Sequence, residues 1–374
     1  MHDQLTLILP IRDRIHFMRR WFQQARTFSF PWRILVADGS QGAQNSDFFA
    51  CPEHFQGLHV EHQKYETPDD YGGFMERISL SLDKVETPYV LIVADDDFFL
   101  PSGILRSLRF LEKNPDYMAA RGEILDFTIP GKNGQNAYGD MEFYFSEHYN
   151  VPSRNADNVY TRLAQQCDKY CCALTTVQRT AQARKRFSYL RHINARETWL
   201  PLMFDDFGLL AQGKTHHGKH LYGLKQTNAI GSEAHAIYEK DPSILDWMTR
   251  PGWSEEMSKL VPYVTREIAE AQNIPYATAH AEFKRLFIAR YLSRLIRVKG
   301  KGEGTALPGT IARKFEKWRH ALKRKIIFKS RYLRAQAALK RFQKSEEVSE
   351  LQTILDICRT PYDPAGKAPH GEAQ

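Results

Sequence analysis

Through its first half the chain alternates short apolar runs with amphipathic stretches, the pattern of successive βα units. Residues 5–9 (LTLIL) predict a strand that ends at Pro10. From residue 14 to 28 the rhythm turns helical, with Ile15, Met18 and Phe22 on one face. Residues 34–37 predict a second strand, stopped by Asp38-Gly39-Ser40, and residues 58–61 a third. Met75, Ile78 and Leu82 mark a helix over 72–85. Residues 89–94 (YVLIVA) are uninterruptedly apolar, as expected of a central parallel strand covered on both faces, and end at Asp95-Asp96-Asp97. Pro101 suits the first turn of a helix running to Lys113, before Asn114-Pro115.

Further along, residues 118–121 and 123–128 predict strand, 129–139 a polar loop, and 221–225 a short strand. Helices are expected over 179–189 and 199–212, the second closed by Gly213. Beyond residue 243 only helical patterning survives. The expected organisation is an α/β domain over 1–235 and a helical extension over 236–298. A Gly-rich linker follows over 299–309, then a basic amphipathic helical region over 310–360 and a flexible tail over 361–374.

Charge sharpens that division. The 374 residues carry a formal charge of +8, with 42% hydrophobic and 26% charged residues, an ordinary globular balance. Residues 312–344 hold thirteen Lys/Arg against Glu316 alone, a local +12, which leaves the rest at −4. On a helical wheel Ile311, Phe315, Trp318, Leu322, Ile326 and Leu333 form one stripe, with Arg313, Lys317, Lys323, Arg324, Arg331 and Arg334 elsewhere. Such a helix suits contact with an anionic membrane, or docking on the body with a solvated basic face. A nucleic-acid partner is disfavoured, because the aromatics follow the apolar stripe and no recognition module surrounds them. No apolar run is long enough to span a membrane, and no signal-peptide anatomy opens the chain. Five irregularly spaced cysteines do not suit a disulfide scaffold. A cytoplasmic location, peripheral at the inner face of the membrane, is the expectation.

The aspartate triplet is the most informative chemistry. Ligands of parallel α/β sheets bind at the carboxyl ends of strands, and this is such an end. Three adjacent carboxylates repel; a hard divalent cation relieves that and holds a diphosphate at the same time. Helix capping is the plainer alternative, but a cap needs one Asp. Asp38, Pro10 and Arg12 end the first two strands at the same edge, where an acid suits ribose or base and an Arg suits phosphate. His216, His217 and His220 are weighed as metal ligands against ordinary loop histidines, and Cys167, Cys171 and Cys172 read as buried small hydrophobes.

LTLILPIRDR, ILVADGS and TPYVLIVADDDFFLPSGILRSLRFLEKNPDYMAARGEI, in that order, resemble family 2 glycosyltransferases of the GT-A fold, in a bacterial subgroup with a DDDF aspartate motif. The resemblance spans about residues 4–230 and is densest over 87–122. It implies a GT-A, Rossmann-like α/β domain that transfers a sugar from a nucleotide-sugar donor, a UDP-sugar first, with Mg²⁺ or Mn²⁺. The acceptor would be a glycan or lipid-linked glycan in polysaccharide biosynthesis. By position Asp97, with Asp95, would hold the metal. Asp95 and Asp96 would approach the donor, while Asp38, Pro10 and Arg12 would line the nucleotide pocket. An inverting transferase also needs a carboxylate base, and the family places one before a Gly-Lys or Gly-Tyr pair such as Gly213-Lys214. The residue at the usual spacing is apolar, near Leu202, so the candidates are Asp206, Asp205 and Glu197. Two rivals remain open: a sugar nucleotidyltransferase, which would want glycines where Ile11-Arg12-Asp13-Arg14 stands, and a non-catalytic sugar- or nucleotide-binding partner.

Overall fold

The computed structural model describes residues 2–131, 136–194, 199–229, 251–293, 329–342 and 347–362. Strand β1 (Leu5–Ile11) leads into α1 (Ile15–Thr27), β2 (Arg33–Asp38) into α2 (Gln44–Phe49), and β3 (His59–Lys64) into α3 (Tyr71–Leu82). β4 (Tyr89–Ile92) is followed by the aspartates, the two-residue β5 (Phe98–Phe99) and α4 (Pro101–Lys113). Next come β6 (Tyr117–Thr128), β7 (Glu142–Phe145), α5 (Val159–Asp168), β8 (Val177–Arg179), α6 (Thr180–His192), α7 (Trp199–Gln212) and β9 (Lys214–Gln226). Then follow α8 (Trp253–Gln272), α9 (Tyr276–Leu286), α10 (residues 329–342) and α11 (Glu347–Arg359).

The expected α/β class holds. The strands form one sheet in the order β3-β2-β1-β4-β8-β6-β9-β5, with β7 paired to β6. β1 lies parallel between β2 and β4 and is buried at all seven positions, which is why its sequence shows no alternation. Pro10 is tolerated because β4 pairs with β1 only over Leu5–Ile8, so the missing N–H falls beyond that ladder. One face of the sheet packs on α1 and α4 through Trp21, Phe22, Ile104 and Leu108. The other packs on α3, α6, α7 and α8 through Ile78, Phe187, Phe204 and Val264.

Several elements differ from the sequence expectation. β4 is parallel to β1 but antiparallel to β8, so the sheet is mixed. Residues 221–225 are only the end of a strand that begins at Lys214. Its polar first half carries no apolar signal because His216 stacks on Phe110, with ring centroids 3.7 Å apart, and His217 Nδ1 lies 2.9 Å from the Val151 carbonyl.

The C-terminal helices join the body. Ala335, Ala338, Phe342, Ile354, Ile357 and Cys358 pack against Phe98, Leu100, Leu125, Phe127 and Leu224 of the sheet. Leu333, expected on the apolar stripe, is 56% exposed; the buried face is the 335/338/342 series instead. The other five stripe residues, the 299–309 linker and tail residues 363–374 lie outside the described residues. Arg331, expected on a solvated face, pairs with Asp126 at 2.6 Å, and Arg334 and Arg341 pair with Glu147 and Glu123. Basic α10 thus meets acids of the body. Among the described residues no helix is long and apolar enough to cross a membrane.

From α11, Glu350 caps α4, the helix that follows the aspartates. Its Oε1 accepts from the Ser102 N–H at 2.9 Å and its Oε2 from the Ser102 hydroxyl at 2.5 Å. Leu100, the residue before that helix, offers no side-chain cap, so a carboxylate from another helix meets the positive end of the dipole. Glu350→Ala is expected to cost about 1–2 kcal/mol, read as a lower urea midpoint at unchanged slope.

Candidate active site

The three aspartates occupy the turn between β4 and β5 and are only 4–6% exposed. β4 delivers them to the carboxyl edge of the parallel strands, and the pairing of Phe98 and Phe99 with β9 sets the exit of the turn. That pairing also brings β9 side chains beside the motif. Asp97 Oδ1 accepts from the Gln226 N–H at 3.1 Å, and its Oδ2 lies 3.2 Å from the Lys225 ammonium. On the other flank Arg14 reaches Asp95 Oδ1 at 3.3 Å and Asp96 Oδ2 at 2.8 Å. The fully buried Arg20 donates to the Asp96 carbonyl at 2.7 Å and to Gln226 Oε1 at 2.8 Å.

Burial drives the titration of this cluster. It pushes Asp95 up to about 7 against the pull of Arg14, and Asp97 up to about 6 against Lys225. Asp96 is also buried, but Arg14 and Lys225 outweigh that and hold it below the usual carboxylate range. Asp95 Oδ2 is buried without a hydrogen-bond partner among the described residues.

This donor set does not fit a resident divalent cation. Among the described residues no three His, Cys, Asp or Glu side chains are grouped so as to hold such an ion by themselves. Asp97 has one oxygen on a backbone N–H and the other on an ammonium, while Asp96 is held by a guanidinium. His216, His217 and His220 stand along β9 as packed strand residues, with burial lowering the basicity of all three.

The remaining expected residues are placed as follows. Pro10 is buried within β1. Arg12 pairs with Asp69 at 2.7 Å and donates to the Pro68 carbonyl at 3.3 Å, which ties it to the loop after β3. Asp38 is fully buried at the end of β2: its Oδ1 accepts from the Ser40 N–H at 2.8 Å, and its Oδ2 lies 2.9 Å from His62 Nε2 and 3.5 Å from Lys64. The side chain therefore organises its own turn. Asp205 and Asp206 diverge on α7, as neighbours on a helix do. Asp205 pairs with the fully buried Arg186 at 2.8 Å. Asp206 faces the loop after α5, where its Oδ2 accepts from the Tyr170 hydroxyl at 2.6 Å and its Oδ1 from the Ala173 N–H at 2.9 Å. Burial, reinforced by the Asp205 charge, pushes Asp206 up to about 8. Glu197 lies outside the described residues.

A file of contacts joins motif and base candidate. The Lys225 ammonium sits 5.5 Å from the Tyr149 ring centroid, and the Arg121 guanidinium 5.0 Å from the same ring. Arg121 also donates to Cys171 Sγ at 2.7 Å and to the Cys172 carbonyl at 3.2 Å, next to the loop residue that binds Asp206. Burial keeps the Cys172 thiol protonated; it feels both Asp206 and Lys225. Arg14, Arg20, Tyr149, Tyr170 and Lys225 were not singled out from sequence. A lone Lys at the end of the apolar run LYGLK was the one available signal. One open cavity of about 770 Å³, lined by Thr87, Pro88, Arg179 and Arg184, lies at the opposite end of β4 and holds none of these groups.

No family model matches the chain. No curated protein matches it either. Among solved structures it is similar to S. aureus TarS 1–349, with a TM-score of 0.46 and 13% identity over 94% of this chain and 90% of that one. The same protein in complex with UDP-GlcNAc gives 0.44 and 12%, over 79% and 76% of the two chains. The mannosyltransferase PcManGT from Pyrobaculum calidifontis, in complex with GDP-Man and Mn²⁺, gives 0.40 and 11%, over 92% and 89%.

The Asp38 turn yields a stability prediction. Burial alone would raise its carboxyl, but hydrogen bonds from His62 and Ser40 and the Lys64 charge bring it down to about 2 from an ordinary 3.8. A depressed acid stabilises the fold above its unfolded pKa, and the contribution fades as pH falls through the folded one. Asp38→Asn is expected to lose about 2 kcal/mol near neutrality, with the difference from wild type closing between about pH 4 and pH 2. Urea denaturation across that window reads it.

Proposed function

We propose that the chain is a glycosyltransferase that moves a sugar from a nucleotide sugar, a UDP-sugar first, to a glycan or lipid-linked acceptor with inversion. One observation supports this most directly. A buried carboxylate cluster at the carboxyl edge of parallel strands, with Asp95 Oδ2 unpartnered among the described residues, is linked by a short file of contacts to a second buried carboxylate of raised pKa. Two acidic centres in different environments suit a reaction that needs charge control at one end and proton removal at the other.

In this reading the donor diphosphate lies against the Asp95–Asp97 turn and the acceptor hydroxyl near Asp206. The hydroxyl gives its proton to the Asp206 carboxylate, and its oxygen bonds to the anomeric carbon. The bond from that carbon to the diphosphate oxygen breaks, and its electron pair leaves with the diphosphate. Asp205 cannot share this duty, because its charge is already opposed by Arg186. Tyr170 and the Ala173 N–H fix the orientation of Asp206. Nucleotidyl transfer fits less well: the turn after β1 has no glycine, and Asp13 takes its left-handed conformation, φ 47°. Contact with an anionic membrane, for a lipid-linked acceptor, belongs to the same proposal, and Tyr332 and Leu333 of α10 are its exposed apolar residues among those described.

Asp206→Asn is expected to lower transfer by about 10²–10⁴-fold while nucleotide affinity stays within a factor of about two. For the wild type, kcat/KM is expected to rise with pH up to about 8, as the base loses its proton, and that limb disappears in the variant. A variant with full turnover would remove Asp206 from the chemistry. A wild type that binds nucleotide sugars and never turns them over would favour the non-catalytic partner.

A further inference from the structure

Three adjacent buried carboxylates need counter-charge whether or not a ligand is present. Arg14 and Arg20, from the segment that begins α1, are anchored. Arg14 bridges Asp95 and Asp96 and packs 4.4 Å from the Phe17 ring centroid. Arg20 is fully buried on the Asp96 and Ala137 carbonyls and on Gln226. Lys225 differs from both. Its side chain is 29% exposed, and Asp97 Oδ2 is its hydrogen-bond partner among the described residues. The Tyr149 face receives the ammonium without using an N–H. An ammonium has three donors, so two are left for an incoming anion. Lys225 also stands on the side of Asp97 that leads through Tyr149 and Cys172 to Asp206, where a donor would lie.

A divalent ion on Asp97 would have to displace this ammonium and then sit beside it, cation against cation. We propose that Lys225 itself supplies the positive charge for the donor diphosphate, so nucleotide binding needs no divalent cation. Asp97 holds the ammonium ready in the free protein, and the diphosphate takes up its two remaining donors. This rests on the sugar-transfer reading above. It departs from the metal expected of the aspartate motif because Asp97 has one oxygen on a backbone N–H and the other on Lys225, and Asp95 Oδ1 lies on Arg14, so Asp95 Oδ2 alone of these four is without a hydrogen-bond partner among the described residues.

The test is calorimetric binding of UDP, GDP and dTDP to the full chain, in EDTA and in Mn²⁺, alongside an EPR titration of Mn²⁺ into the protein alone. The expected result is a diphosphate whose Kd in EDTA lies within about threefold of that in Mn²⁺, with Mn²⁺ remaining free at sub-millimolar concentration. Lys225→Gln is expected to weaken binding in EDTA at least about tenfold, and Lys225→Arg to restore most of it. Circular dichroism establishes that each variant is folded, and the wild-type EDTA and EPR measurements stand without any variant. Binding that requires Mn²⁺, tight Mn²⁺ uptake by the protein alone, or a folded Lys225→Gln that binds like wild type would overturn the role of Lys225 and leave sugar transfer standing. Failure of all three diphosphates to bind in both media would overturn the transfer reading together with it.

Discussion

Charge compensation across the β4–β5 turn is the constraint on which the rest of the architecture depends. Three carboxylates are buried within three residues, and positive charge reaches them from parts of the chain that are far apart in sequence. α1 is positioned so that Arg14 and Arg20 arrive from one flank, and the antiparallel contact of β5 with β9 brings Lys225 from the other. Arg20 extends the arrangement by joining the Asp96 carbonyl, Gln226 and the Ala137 carbonyl, so the turn, β9 and the segment after β6 share one buried guanidinium. Phe98 lies 4.7 Å below it and gives the charge an aromatic floor.

Local signals were legible where they were strong. The bounds of α4 and α7 follow from Pro101, Asn114-Pro115 and Gly213, and β1, β2 and β4 from runs of buried aliphatic residues. β9 was hidden, because alternation fails once a strand's polar side chains are taken up by neighbours such as Phe110 and Val151. The aspartates were legible as a candidate site, their partners far less so. Arg12 and Arg14 look equivalent in the sequence; the left-handed backbone of Asp13 stands between them, and Arg12 goes to Asp69 while Arg14 meets the motif. Tertiary pairing decided that, and no spacing rule encodes it.

The α7 pair shows how different partners separate two chemically identical groups that are equally buried. Asp205, facing Arg186, serves as a fixed counter-ion inside the helical layer. Asp206, one residue on, meets only neutral donors, a phenol and an amide, while it feels its neighbour's charge. One aspartate is therefore locked into the scaffold and the other is left with a proton it can exchange near neutral pH. The loop from Tyr170 to Ala173 supplies both donors to Asp206, although no charge marks them in the sequence.

Glu350 gives the fold a temporal order. The carboxylate that closes the first turn of α4 lies 248 residues downstream of Ser102. At synthesis rates of roughly 5–20 residues per second, that partner emerges on the order of 10–50 s after the helix it completes. Until then the segment leaving the aspartate turn has an open amino terminus and an uncovered apolar flank at Phe98 and Leu100. The nascent body thus passes through a stage in which its most highly charged turn is already translated but its exit helix is unfinished.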